Sequence, residues 1–308
     1  MTIMKAANVD FSKVTFSDVK KLGKGKMVYV NMNSDKIILQ TPKMSIPFGI
    51  SRWREPNADD NKGDSFRLGI SFYGEETNDD IRKFKENLQQ FDDMIKQKIK
   101  ENSKEWLNKA NISMEVIEDA YYVPNVKASV DKEGKEYPSR LEVKLDRQRD
   151  GEEFTGKFVS NKKFNHEIMI FDENKNLIEL NESNYDSVIP KGSQAICIIE
   201  LVYISITAKI SCKWKLVQAK VFKNKKAITD YAIIDDDDEE ENDNESNDGL
   251  KDDFDSENDN ENNNDDNNED ENAEEVANEE IDNLAEDLQN TQLEEPVEKP
   301  SRKGRKKN

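Results

Sequence analysis

Residues 194–206 read QAICIIELVYISI, and residues 213–222 read KWKLVQAKVF. Both stretches are rich in Ile, Val, Tyr and Phe, which suit a pleated, half-buried surface. Over 196–206 both parities are apolar, which predicts a central strand covered on its two faces. Trp214 stands between Lys213 and Lys215, so a core-facing ring puts both lysines on the opposite, wet face. Upstream, 27–32 and 36–40 flank Asn33-Ser34-Asp35, the pattern of a hairpin. Further strand candidates are 66–73, 121–130, 141–145, 167–171 and 176–180. In the third of these Leu141, Val143 and Leu145 alternate with polar neighbours, Arg140, Glu142 and Lys144 among them, which predicts one wet face. Between the strands, Asp79-Asp80 opens a helix whose stripe is Ile81, Phe84, Leu88, Phe91, Ile95 and Ile99. A second short helix is predicted at 104–110, around Trp106. The fold class that follows is mainly β with a helical insertion at about 79–110 (α+β), built as a small antiparallel barrel or sandwich.

The chain changes character at Asp235. Residues 235–308 hold 31 acidic, seven basic and 11 apolar side chains, a net charge of −24. Residues 1–234 hold 35 acids and 39 bases, a net of +4, and about two-fifths of them are apolar, enough for a core. The expected organisation is therefore a folded domain over 1–234 and a disordered acidic tail over 235–308. Within the tail, Ala277, Ile281, Leu284 and Leu288 share one helical face among glutamates. A short partner-binding helix over 274–290 is one reading of them, and a disordered segment with spare apolar residues is the other. The last residues, 300–308, form a basic tip of nuclear-localisation or nucleic-acid type.

Positive charge in the front part is concentrated in two places. Residues 20–54 include Lys24, Lys26, Lys43, Arg52 and Arg54 and carry a local +7. Residues 201–229 include Lys209, Lys213, Lys215 and Lys220 and carry another +7 with no acid. Cations lined along a groove displace counterions from phosphates, so these segments point to a nucleic-acid surface; a lysine-rich solvated face is the bland alternative. Aromatic rings are interleaved with them: Tyr29, Phe48 and Trp53 in the first, Tyr203, Trp214 and Phe222 in the second. Unpaired bases stack on such rings without being read. Trp53, flanked by two arginines, is the best platform, and Arg140 and Lys144 extend the expected binding set. The reading requires both segments to line one channel.

Other classes fare worse. Leu22-Gly23-Lys24-Gly25-Lys26-Met27 lacks the spacing and hydroxyl of a phosphate-binding loop. His166 has no nucleophile motif beside it, and one His with two Cys makes a zinc site improbable. No enzyme, cofactor or metal is expected. Cys197 and Cys212 lie in apolar runs and read as reduced core residues. No apolar run reaches membrane-spanning length and the start has no signal core, which predicts an intracellular protein without a membrane partner.

Lys36-Ile37-Ile38-Leu39-Gln40-Thr41-Pro42-Lys43-Met44, followed by Ile46-Pro47-Phe48-Gly49-Ile50, carries a resemblance. Together with the 66–72 strand and Trp214-Lys215-Leu216-x-Gln218, it resembles the single-stranded DNA-binding replication proteins of nucleocytoplasmic large DNA viruses. The basic domain with its acidic tail is similar to the acid-tailed single-stranded DNA-binding proteins of bacteriophages. The resemblance implies an OB-fold, sequence-tolerant binding of single-stranded DNA, and work in replication, recombination and repair. It places the protein at a cytoplasmic viral replication site or in the nucleus, with packaging in the virion and a homo-oligomer as open points. Replication proteins would be recruited through the tail by Ile281, Leu284 and Leu288, and the tail would compete with DNA for the basic groove. The basic tip departs from the aromatic end of the phage tails. A histone-chaperone-like, scaffold or virion interaction protein is the alternative, with affinity carried by the tail.

Overall fold

A computed structural model describes residues 2–54, 64–130, 134–151 and 153–223. The expectations for 235–308, including Ile281, Leu284, Leu288 and the basic tip, lie outside the described residues. Within them the chain is mainly β with a few helices. The strands that matter here are β1 (Lys20–Leu22), β2 (Gly25–Val28), β3 (Ile38–Gln40), β4 (Met44–Ile46), β5 (Ile50–Arg54) and β6 (Asp64–Ser71). Helices α1 (Asp79–Glu101) and α2 (Ser103–Leu107) follow, then β7 (Tyr122–Val123), β8 (Lys127–Val130), β9 (Glu136–Asp150) and β10 (Glu153–Asn161). The last are β11 (Met169–Phe171), β12 (Leu177–Ile178), β13 (Ser193–Ile206) and β14 (Ile210–Phe222).

The path of paired strands returns to its start: β13 to β4, β6, β9, β14 and back to β13. Two joints are narrow. β4 meets β6 only at Ser45 opposite Ser71, and β9 meets β14, in parallel, only at Lys144 opposite Lys215. The long antiparallel β13–β14 pair carries most of the ladder, with shifts at 198/199 and 201/203. β13 is central, as its double apolar parity predicts, with β2, β3 and β4 on its other edge. The expected two-sided cover is supplied only from Ile199 onward, where both parities are buried as far as Ile206 apart from the half-buried Val202. Ala195, Cys197 and Ile199 are buried in the core, whereas Ile196 and Ile198 on the other parity stay half-buried.

The expected hairpin forms at Asn33-Ser34, both at positive φ (53° and 66°), the geometry of a primed two-residue turn. Only Val30–Met32 and Asp35–Lys36 pair across it. The flanking stretches leave to pair with β13 instead. The helix is where its stripe puts it: all six stripe residues are buried, each contributing about 2 kcal/mol of apolar transfer. Asn78 caps it, its Oδ1 accepting from the amides of Asp80 (3.0 Å) and Ile81 (3.3 Å). Phe91 stacks on Phe11 at 4.3 Å between centroids, which fixes the N-terminal segment to the helix. β10 has no counterpart in the sequence reading, because EFTGKFVSN lacks a sustained alternation.

Candidate nucleic-acid interface

The alternation in β9 places Leu141, Val143 and Leu145 in the core and turns Arg140, Glu142, Lys144 and Asp146 outward. Its neighbours obey the same parity. Arg67 of β6 is paired with Lys144, and Lys144 with Lys215 of β14. Paired residues share a face and stand about 5 Å apart, so three cations from three strands form one row. Lys213, opposite Tyr203, continues it along β14. A groove of about 120 Å³ opens at this row, where β9 and β14 part and residues 123–127 fill the gap. Arg67, Lys127, Lys144, Lys213 and Lys215 line it against Glu142 and Asp146.

Glu142 does not cancel this field so much as organise it. It pairs with Lys127 (2.7 Å), Arg67 (3.7 Å) and Arg140 (3.7 Å). Burial opposes its ionisation, but these cations outweigh burial and hold its carboxyl below the usual range. Glu200 behaves likewise as a strut, binding Lys36 at 3.0 Å and Lys215 at 3.5 Å. The groove wall is tied to α1 by a buried network. Asp92 accepts from the Tyr122 hydroxyl (2.7 Å) and the Asn125 amide (3.1 Å), and Asn125 Oδ1 accepts from Trp214 Nε1 (2.7 Å). Trp214 is thus a core ring, and its lysine neighbours occupy the wet face.

Rings flank the groove on the same face. Trp53 is half-buried, opposite Ser65 and one row from Arg67. At the other end of β6, Tyr73 is 52% exposed and Phe48 is 53% exposed with the Arg140 guanidinium 6.0 Å from its ring. Between them lies Gly69, opposite Glu142, so the floor is flat. From Arg67 to Tyr73 the face runs about 20 Å at 3.4 Å per residue. Gly49 shapes the loop that presents Phe48. Its φ is +66°, and a Cβ there would lie 2.7 Å from the Ile189 carbonyl oxygen.

The other expected residues are placed elsewhere. Arg52 and Arg54 turn to the opposite face from Trp53 and clamp the buried Asp64, Arg52 Nε at 2.8 Å and Arg54 Nε at 2.9 Å. Burial works against the Asp64 charge, yet the two guanidinium groups hold its carboxyl below the usual value. Lys26 Nζ donates to the Glu105 carbonyl (2.5 Å) and Asn108 Oδ1 (3.2 Å), fastening β2 to the end of α2. Tyr29 is half-buried against Leu22, Met27 and Tyr203, with Lys20 at 5.0 Å from its ring. Lys24 is exposed at the β1–β2 turn, and Lys209 is exposed in the turn joining β13 and β14. Lys43 and Lys220 both approach the Phe222 ring, at 4.2 and 5.2 Å.

The two lysine-rich segments therefore meet at both ends of the β13–β14 hairpin rather than in one channel. Residues 20–28 reach the Ile204–Ile206 end through β2, and Lys43 reaches the Phe222 end. The groove between draws its cations from β6, β8, β9 and β14. Arg67, Lys127 and Tyr73 escape a sequence reading because each stands outside the charge-dense segments; only strand register makes them neighbours. Among the described residues no group of His, Cys, Asp and Glu is placed to hold a metal ion, and no helix is long and apolar enough to cross a membrane.

No family model matches the sequence, and no curated protein matches it. Among solved structures the chain is similar to gp2.5, a single-stranded DNA binding protein encoded by bacteriophage T7. The identity is 13%, the match covers 69% of this chain and all of that one, and the TM-score is 0.34. The single-stranded DNA-binding protein from bacteriophage Enc34 matches at 10% identity over 73% of this chain and 98% of its own, TM-score 0.31. The same protein in complex with single-stranded DNA matches at 12% identity, over 69% and 96% of the two chains, TM-score 0.30. The functional reading rests on the geometry above, not on a likeness this distant.

Proposed function

We propose that this protein binds single-stranded DNA without sequence preference, across the outer face of β6, β9 and the first half of β14. The observation that carries the reading is the row Arg67–Lys144–Lys215, flanked on one face by Trp53 and by Phe48 with Tyr73. The cations follow a phosphate backbone and release its counterions. The rings offer stacking to unpaired bases, about 1–3 kcal/mol per base, which paired bases decline. The ring of five strands with two single-pair joints fits a partly open OB-type barrel, whose second and third strands are the usual binding face. Residues 1–234 are then the binding domain and 235–308 an acidic tail that occupies the basic face until DNA displaces it. Freed, the tail recruits replication proteins through Ile281, Leu284 and Leu288, and the protein serves replication, recombination and repair of a large viral genome inside the cell.

Fluorescence anisotropy with a labelled oligothymidylate and a duplex of equal length tests the reading. Unpaired DNA should bind at least tenfold more tightly at equal salt, and Lys144→Glu with Lys215→Glu should abolish that binding. Equal affinity for duplex removes the stacking account. Full affinity in the double variant removes the site and leaves the tail-centred scaffold reading.

A further inference from the structure

A second face of the molecule is unfinished. The apolar run of β13 predicts cover on both sides, and over its first half, 194–198, the described residues cover only one. On the outer side three strands stand in register with it. Leu177 pairs with Phe171, Phe171 with Lys220, and Lys220 with Ile196. One row along, Met169 pairs with Gln218 and Gln218 with Ile198. The parity is settled by the buried neighbours Ile170, Ala219, Ala195 and Cys197, which face the core. Leu177 is 65% exposed and Met169 45%, and Phe171, Ile196 and Ile198 are half-buried without joining either core cluster. Five apolar side chains thus form a contiguous patch with one cation, Lys220, in its middle, Asp172 and Glu173 in the turn at one border, and Glu179, two residues past Leu177, at the other. A patch of this kind on one sheet face marks an interaction site.

We infer that residues 274–290 of this chain dock there, with Ile281, Leu284 and Leu288 against Met169, Phe171, Leu177, Ile196 and Ile198. Two observations name this occupant. The described chain ends at Lys223, and its neighbour Phe222 pairs with Gln194 on the same face, two residues from Lys220. About fifty residues separate Lys223 from the segment, and a flexible chain of that length would have an r.m.s. span of about 40 Å, which puts the patch within reach at millimolar effective concentration. The second is charge. The apolar stripe is bracketed by Glu274, Glu275, Glu279, Glu280, Glu286 and Asp287, which suits a face centred on Lys220 with Lys43 and Lys223 at its rim. This docking is separate from the groove and does not require DNA to bind. It would anchor the far end of the polyacid stretch 235–272 and hold it over the surface it is proposed to screen.

The test attaches a nitroxide to the full chain at Gln289→Cys. Selective labelling is available because Cys197 is buried and Cys212 half-buried, and desolvation keeps both as thiols, Cys197 pushed up to about 12 and Cys212 further still. Docking predicts strong broadening of the amides of Met169, Phe171, Ile196, Ile198 and Lys220, persisting in high salt and lost in Met169→Asp with Leu177→Asp. Those two positions are exposed, so the variant keeps its fold and its amide spectrum reports it. Broadening confined to Arg67, Lys144 and Lys215, or absent everywhere, overturns the docking. Broadening of unlabelled ¹⁵N protein mixed with labelled ¹⁴N protein overturns it in favour of a second copy. Oligothymidylate affinity read in the same samples keeps the two readings apart: no broadening at the Met169–Leu177 patch of the otherwise unaltered chain with DNA binding intact sinks only the docking, and the reverse sinks only the DNA reading.

Discussion

Arg67, Lys144 and Lys215 are separated by 77 and 71 positions in the chain, and each is worth little alone. Placed side by side they repel, and Glu142 and Glu200 exist in the row to hold them at that spacing. Glu142→Gln should therefore leave the net field stronger but the cations less ordered. Asp64 illustrates the opposite use of arginine. Its folded pKa is depressed, so the stability it provides is present above the unfolded value near 3.8 and is lost as pH falls through the folded one. Urea midpoints measured from pH 6 down to pH 3 should show an acid limb that Asp64→Asn flattens, with oligonucleotide affinity at pH 7 unchanged. Trp214→Phe leaves Asn125 Oδ1 buried without its 2.7 Å donor. Chemical denaturation should record a loss of about 1–3 kcal/mol for that orphaned acceptor, and a smaller loss would place the network outside the groove's support.

At the scale of elements, the groove is a consequence of two strands that pair at one position and then diverge. β7, the following turn and β8 fill the opening, and α1 holds them through Asp92. The helix was legible because its stripe is regular and long. The polar Asp92 on that stripe was not, since a buried carboxylate is defined by what the rest of the chain brings to it. Five cations line the groove; if all five meet phosphates of a single strand, the logarithmic salt slope is about −3.5. Lys213→Ala or Lys127→Ala should each reduce that slope by about 0.7 in a titration from low to moderate salt. Gly49 belongs to this scale as well. A methyl group on it would collide with the Ile189 carbonyl, so Gly49→Ala should lower the melting temperature by several degrees and weaken binding through a displaced Phe48.

The whole molecule carries a charge of −20, yet its proposed ligand is a polyanion. The conflict is resolved if the −24 tail and the basic face are two parts of one competition. Removing 235–308 should tighten oligonucleotide binding by tenfold or more at low salt, and the gain should shrink as salt screens both partners. Unchanged affinity in that comparison would end the competition model without touching the groove. The compositional break at about residue 234, the β-rich class and the helix over 79–101 all follow from local composition and period, which each residue expresses without reference to distant ones. Which lysines come to share one row does not. Lys26, Arg52 and Arg54 lie in the same kind of cationic run as Lys215, but they turn to Glu105, Asn108 and Asp64, whereas Lys144 and Lys215 are brought side by side by register, with Glu200 bridging to Lys215. Charge density is a property of the chain. Convergence of charge is set by strand pairing, because only pairing decides which side chains, tens of residues apart, share a face and a distance of a few ångströms.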